Sequence, residues 1–234
     1  MNLPVNKYPT YQLELPASKT KIKYRPWTSL ENKKLLTALI TKNKDDIQNA
    51  IVEILQGCTF NQQEIKDLPM VDVEYLFTQV KSKSKGEIIE LTYHATTEKD
   101  GIEEVISLEL DLSKIEVTPI PEKNIKISDS VGLVMKLPSY ALSQKIDSLE
   151  DDFEKLSYFV EYIYDEKKIF TLGTDFSLEE LKEWLENLTE KQLDLLLVFT
   201  SHIPTIKTTL EFSLNTNPPR NKIIELEGLS DFFL

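Results

Sequence analysis

Apolar and polar residues alternate with a period of two in three parts of the chain, and a turn-forming insert divides each part into two arms. The three parts are residues 11–24, 91–112 and 207–229. Alternation of this kind places every second side chain on the same face of a strand. The pattern therefore predicts an N-terminal β-hairpin and two extended β-hairpins, one in the middle of the chain and one near its C-terminal end.

Between the hairpins the apolar residues recur at helical spacing. Capping boxes at Thr28, Ser177 and Thr189 mark helix starts, because a hydroxyl at each position is followed three residues later by Glu or Gln. Pro69 fits the first turn of a further helix, where its missing N–H is harmless. We expect helices over residues 28–41, 45–55, 67–84 and 149–163, and two more that begin at Ser177 and Thr189.

The apolar stripes of these helices predict their buried faces, and Gly57 is expected to end the second helix. The helix from Thr189 is apolar on nearly all sides, which predicts a central position in its domain. Residues 129–136 form a short element that the pattern leaves open between helix and strand. The expected core residues are Leu35, Leu36, Leu39 and Ile40 in the first helix, Ile47, Ile51, Ile54 and Leu55 in the second, and Val73, Leu76, Phe77 and Val80 in the third.

The order of these elements predicts an α+β fold with an N-terminal β-hairpin and two helical clusters, each followed by an extended β-hairpin. The repeated arrangement suggests two similar halves. We expect one domain over residues 1–122 and a second over residues 123–234, with a single domain as the alternative.

The net charge of the chain limits the classes of partner that it is expected to bind. The chain has 234 residues, 27 of them basic and 39 acidic, and a net charge of −12. Such a charge repels nucleic acid and anionic membranes. The basic run Lys81–Lys85 is interpreted as the last turn of a helix, where cations favour the dipole. No apolar run approaches the roughly 20 residues that span a bilayer, and the N-terminus does not resemble a secretory signal. The single cysteine, Cys58, fits a reducing cytoplasm.

Candidate catalytic groups are sparse. The six glycines form no phosphate-binding loop. His94 borders a turn and His202 follows a helix, so solvated or capping roles are favoured over ligation. The acidic run 147–154 lies at a helix start and lacks the spacing of a calcium loop. We therefore expect no enzyme, no catalytic residue, no bound metal and no cofactor.

Several segments together resemble the baseplate hub assembly proteins of T4-type bacteriophages with contractile tails. The resemblance runs from about Leu15 to Phe233, with the segments in the family's order. They are KIKYRPWTSLENKKLL, LPMVDVEYLFTQVKSKSKGEIIELTY, DLSKIEV, SDSVGLVMKLPSY and IELEGLSDFF.

In many members of that family the tips of the hairpins resemble zinc knuckles with paired cysteines. This chain has YHATTEKDG and SLNTNPPRN at the two tips, and neither contains cysteine. A zinc-binding role therefore does not extend to residues 93–101 or 213–221, and the hairpins are interpreted as architectural. The pair Pro218 and Pro219 is expected to limit the backbone freedom of the second tip.

The resemblance implies a late tail protein that helps to build the central hub of the baseplate, either as a hub subunit or as an assembly chaperone, in the cytoplasm of the host. Other baseplate hub and tail proteins would be its partners, with no nucleic acid and no membrane segment involved. Alternatives are a tail-associated hydrolase and a nucleic-acid-binding regulator with degenerate zinc-knuckle hairpins. The residues expected to contact partners are Tyr75, Phe159, Tyr162, Phe232 and Phe233.

Overall fold

A computed structural model describes residues 7–96, 103–214 and 220–233. The first elements are β1 (Tyr11–Glu14), β2 (Lys21–Tyr24), α1 (Ser29–Thr41), α2 (Lys44–Cys58), α3 (Met70–Lys85), β3 (Ile88–Thr96), β4 (Glu103–Asp111) and β5 (Glu116–Val117). The later ones are β6 (Asn124–Lys126), β7 (Val131–Met135), α4 (Tyr140–Asp147), α5 (Asp152–Ser157), β8 (Val160–Asp165), β9 (Ile169–Thr171), α6 (Leu178–Glu186), α7 (Glu190–Ser201), β10 (Ile206–Leu214), β11 (Arg220–Glu227) and α8 (Gly228–Phe233).

The chain divides into two compact units. Unit 1 comprises Met1–Ile65, Val71–Thr118 and Thr205–Leu234, and unit 2 comprises Lys66–Met70 and Pro119–Pro204. The last segment belongs to unit 1 because β10 pairs with β5, placing Ile206 opposite Val117. The division into domains 1–122 and 123–234 stays a prediction, because the compactness of a unit does not measure whether it folds independently.

Helix α3 is the centre of unit 1. Its apolar stripe is buried as predicted, with Val73, Leu76, Phe77 and Val80 at most 1% exposed. The same helix carries a fully buried carboxylate at Asp72, which accepts hydrogen bonds from two backbone N–H groups of the β1–β2 turn. Because a buried carboxylate is costly unless it is hydrogen-bonded, these contacts fix the N-terminal hairpin on the helix.

The start of α1 lies next to the end of α2, where a second set of polar contacts forms. The predicted capping box is present, with Thr28 and Glu31 satisfying each other's backbone N–H groups. Both oxygens of Glu31 also accept hydrogen bonds from the Arg25 guanidinium, at 2.8 and 2.9 Å. Helix α2 continues through Gly57, so the predicted stop there is wrong. A Cβ on Gly57 would lie 3.1 Å from a Glu31 oxygen, which explains a glycine inside the helix.

Unit 2 is built on a four-stranded antiparallel sheet in the order β6-β7-β8-β9. One face of the sheet packs on α5, α6 and α7, and the resulting core includes Leu133, Ile163, Leu185 and Phe199. Residues 129–136, left open by the sequence, contain strand β7. Its Gly132 lies beneath the phenol of Tyr164, which leaves no room for a side chain at that position.

The expected helix over residues 149–163 is wrong beyond Ser157. Helix α5 ends there, and strand β8 begins at Val160. The physical reason is the run Val160–Tyr164, whose β-branched and aromatic residues favour a strand and pair with β7 and β9. The apolar spacing that predicted a helix is also compatible with a period of two in this run.

Two expectations about buried helix faces are also wrong. Leu36 and Ile40 in α1 are 48% and 81% exposed, because the buried side of that helix runs through Leu35 and Ala38. Helix α7 is not central in unit 2. Leu196 and Phe199 are buried, but Leu195, Leu197 and Val198 are exposed. A helix that is apolar on all sides here presents apolar side chains to solvent.

The predicted fold class is confirmed, as an α+β arrangement of helices and small antiparallel sheets with an N-terminal hairpin. Both extended hairpins are present, and their tips, including Pro218 and Pro219, lie outside the described residues. The helices predicted from the capping boxes at Thr28, Ser177 and Thr189 are also confirmed. None of the described helices combines the length and apolarity needed to cross a membrane.

The buried carboxylate of Glu74 in α3 predicts a pH dependence of stability. Burial raises its pKa above the ordinary value of 4.5, although hydrogen bonds from Thr205, Ile206 and Leu229 oppose the shift. The folded state then binds this proton more tightly than the unfolded state. Its contribution to the unfolding free energy is fully present below the ordinary pKa and is lost as the pH rises through the raised value.

We expect Glu74→Gln, which cannot titrate, to lack this loss. Urea denaturation of both proteins across the weakly acidic to weakly basic range measures it. The free energy of unfolding of the wild type minus that of the variant should fall with rising pH, by ~1.4 kcal/mol for each pKa unit of the shift. A difference that rises with pH would show that the hydrogen bonds outweigh burial.

Candidate functional site

The two extended hairpins of unit 1 form the candidate site. In the first long hairpin, β3 and β4 pair from Ile88 opposite Asp111 to Thr96 opposite Glu103. In the second long hairpin, β10 and β11 pair from Lys207 opposite Glu227 to Leu214 opposite Arg220. Each register places apolar side chains on one face, so each hairpin has an inner, apolar face and an outer, polar face.

The inner faces of the two hairpins meet, and Tyr93 is at the centre of that contact. Its ring lies 5.2 Å from the ring of Phe212, measured between centroids, at an interplanar angle of 58°. The Nζ of Lys222, directly opposite Phe212 in the register, donates a hydrogen bond of 2.5 Å to the Tyr93 hydroxyl. The contact joins the first hairpin to both strands of the second, close to the ends of the described strands.

Buried polar contacts fix the base of the second hairpin. Glu74 accepts hydrogen bonds from the hydroxyl of Thr205 at 2.9 Å and from the backbone N–H of Ile206 at 3.3 Å. The N–H of Thr205 in turn donates to the hydroxyl of Thr118 at 2.9 Å. Gly228, with φ of 67°, lets the chain turn from β11 into α8, and a Cβ at this position would lie 3.3 Å from a Glu74 carboxylate oxygen.

Sequence reasoning missed Glu74 and Asp72 because it assigned α3 only an apolar stripe. A signal was available in the run MVDVEYLF, where two acids alternate with valines on the buried side of the helix. Asp and Glu side chains seldom occupy such buried positions unless they have hydrogen-bond or ion-pair partners. An acid inside an apolar stripe is therefore a marker for a buried hydrogen-bonded carboxylate, although it does not reveal the partner.

Strand edges are exposed on both hairpins. The first long hairpin is a two-stranded sheet, and neither of its edges pairs with another strand in the described part of the chain. The second belongs to a three-stranded sheet in the order β11-β10-β5, so β11 is an edge strand there. Such edges present backbone N–H and C=O groups to an incoming strand.

The five residues predicted to contact partners lie in different surroundings. Tyr75 is half-buried in α3, and Tyr162 is half-buried in β8 next to Val134 and Thr171. Phe159 is 5% exposed in the core of unit 2 and Phe232 is 1% exposed in unit 1, so both side chains are buried. Phe233 ends α8. Partner binding by these residues stays a prediction.

Cys58 and His202, two of the candidate catalytic groups, lie in surroundings that indicate structural roles. Cys58 is fully buried, and burial raises the pKa of its thiol to about 12, which disfavours a thiolate. The ring Nδ1 of His202 lies 2.8 Å from the carbonyl oxygen of Val198, and its backbone N–H caps α7. The capping role is thus confirmed. His94 is exposed on the first hairpin. Within residues 7–96, 103–214 and 220–233, no three His, Cys, Asp or Glu side chains are grouped to hold a metal ion.

Comparison with known protein families shows which family the chain belongs to. The model of the T4 bacteriophage base plate protein family matches residues 8–234. The chain belongs to this family. The match includes both units and all the strands of both long hairpins, so this baseplate protein carries the hairpins within its family region. Neither a curated protein nor a solved structure matches the chain.

Membership identifies a phage baseplate protein and implies a component of the virion with other baseplate proteins as partners. The resemblance derived from the sequence is thereby confirmed at the level of the family. The match extends from the N-terminal hairpin to α8, including both segments on which the hairpin bases depend.

The contact between the hairpins predicts coupled stability. In a double-mutant cycle of Tyr93→Leu and Phe212→Leu, we expect a coupling energy of roughly 0.5–1.5 kcal/mol, since an offset aromatic pair contributes about that much beyond buried area. Urea denaturation of the four proteins measures it. Tyr93→Phe is the matched control, because it keeps the ring pair and loses the hydrogen bond from Lys222. Strictly additive effects of the two leucine substitutions would contradict the contact.

Proposed function

We propose that this baseplate protein acts without catalysis in building the central hub of the baseplate, as a hub subunit or as an assembly chaperone, through contacts with other tail proteins. The observation that supports it is the family match over residues 8–234. The tail would be contractile, the protein would be made late in infection, and assembly would take place in the host cytoplasm.

The surfaces of the two units support a role in protein contacts. Unit 1 has unpaired strand edges on its long hairpins, which suit partner binding by strand addition. Unit 2 exposes Leu195 and Val198 of α7 beside Ile125 of the edge strand β6, and these three residues line one groove. Apolar side chains at an edge strand are typical of surfaces that become buried in an assembly.

The local chemistry supports the absence of catalysis. The thiol of Cys58 is buried with a raised pKa, and the His202 ring contacts a helix carbonyl. We propose on this basis that the protein is not an enzyme and needs no cofactor. Neither alternative, hydrolase or nucleic-acid-binding regulator, gains a specific observation from the structure, and the net charge of −12 disfavours nucleic acid.

Co-expression with the other hub proteins of the same phage tests the proposal. Affinity capture of this chain, followed by mass spectrometry of the complex and of purified virions, should recover hub proteins in the complex. Recovery of the chain in virions as well would favour a hub subunit, and recovery in the complex alone would favour a chaperone. Capture of no hub protein under conditions that recover the known hub complex would contradict the proposed role.

Tyr162 offers a test within unit 2. It is half-buried on β8 opposite Thr171, so Tyr162→Thr places a strand-compatible residue there. We expect weaker capture of a hub protein and a small change in thermal unfolding. Ile163→Val is the comparison, because that side chain lies on the same strand but in the core, and its change should lower stability without a specific loss of capture. Unchanged capture by Tyr162→Thr would remove Tyr162 from the contact residues.

A further inference from the structure

The first long hairpin has an unusual balance of charge. Strands β3 and β4 contain no lysine or arginine, yet they carry several acidic residues: Glu90, Glu103, Glu104, Glu109 and Asp111. Its outer face, defined here by Ile88, Glu90, Thr92 and His94 of β3 with Val105, Ser107, Glu109 and Asp111 of β4, is polar and acidic. Three of these acids, Glu90, Glu109 and Asp111, thus lie on one regular sheet face.

Two carboxylates lie directly opposite each other in the middle of this face. Glu90 pairs with Glu109 in the register, and both side chains are exposed. Like charges at directly opposite positions of an antiparallel pair are destabilising. Neither carboxylate forms an ion pair or a hydrogen bond with another residue in the described ranges. The folded chain therefore keeps an unfavourable pair that a cation from outside would relieve.

The second long hairpin provides an internal comparison, because its outer face also carries acids. There Lys207 lies 2.8 Å from Glu225 and 3.2 Å from Glu227. Two acids of that face, Glu225 and Glu227, are thus paired with a cation of the same sheet. In the first long hairpin, Asp111 at the base of the outer face pairs with Lys114 at 3.2 Å. Among the described residues, no cation pairs with Glu90 or Glu109 in the middle of that face.

Apolar side chains flank the acidic pair. Ile88 is 60% exposed at one end of the outer face, and Val105 is 62% exposed toward the other end. The side chains between them, Thr92 and Ser107, are small and directly opposite. A partner that lies along the strands would find an apolar contact, two carboxylates, two small polar groups and a second apolar contact. The unpaired edges of both strands border this surface.

We propose that the outer face of the first long hairpin binds a basic, extended segment of another baseplate protein, with Lys or Arg side chains placed between Glu90 and Glu109 and apolar side chains against Ile88 and Val105. Charge complementarity favours this partner, because its cations would relieve the repulsion between Glu90 and Glu109. The apolar side chains beside the pair favour a segment that also carries apolar residues. The inference rests on the proposed function, because it specifies the chemistry of a partner in the baseplate.

The test uses the full-length chain and the other baseplate proteins of the same phage, each purified separately as a probe. Binding is measured at several salt concentrations for the wild type and for Glu90→Gln/Glu109→Gln. We expect about tenfold weaker binding to one probe and a smaller salt dependence. Glu90→Lys/Glu109→Lys should abolish that binding. In the wild-type complex, a carbodiimide should join Glu90 or Glu109 to a lysine of the probe, as located by mass spectrometry.

The control is Glu179→Gln/Glu183→Gln, which removes the same charge from two exposed acids of α6 and should leave binding unchanged. Thermal unfolding of Glu90→Gln/Glu109→Gln should occur at the same or a higher temperature, because a repulsive pair is lost. Equal binding by this variant and the wild type would overturn the hairpin proposal alone. Failure of the wild type to bind any baseplate protein would instead contradict the proposed function.

Discussion

Two buried carboxylates on one helix determine how unit 1 is assembled. Asp72 binds the turn of the N-terminal hairpin, and Glu74 binds the start of β10 and the start of α8. These partners are far apart in sequence, so hydrophobic contact alone would not specify their positions. A carboxylate in an apolar interior is tolerated only when donors surround it. The hydrogen bonds thereby select one arrangement of segments around α3, and the long hairpins inherit their positions from it.

Local patterns were sufficient for much of this fold. A period of two around a turn predicts each hairpin, and a capping box predicts a helix start wherever Thr28, Ser177 and Thr189 occur, because both signals act within a few residues. The failure between Ser157 and Val160 has a different origin. The apolar residues there fit both periods, and strand pairing with β7, which is distant in sequence, decides between them.

The candidate site was predictable only in outline. Its strands follow from alternation, but burial depends on tertiary packing. Phe159 and Phe232, expected to contact partners, are in cores, whereas the apolar helix α7, expected in the interior, exposes Leu197. The tips of the hairpins have no cysteines, and the described contact between the hairpins instead joins Tyr93, Phe212 and Lys222. Side chains at positions remote in sequence make that contact, so no single motif announces it.

The discontinuity of unit 1 has a consequence for synthesis on the ribosome. The chain leaves unit 1 after Thr118 and returns at Thr205, and these two residues are hydrogen-bonded to each other. Neighbouring exit and return points are the arrangement in which one unit can be inserted into another. During translation, unit 2 emerges complete while unit 1 still lacks β10, β11 and α8. At that stage the carboxylate of Glu74 lacks the hydrogen-bond donors of Thr205 and Ile206. The contact between the two long hairpins therefore forms only after nearly the whole chain has been made.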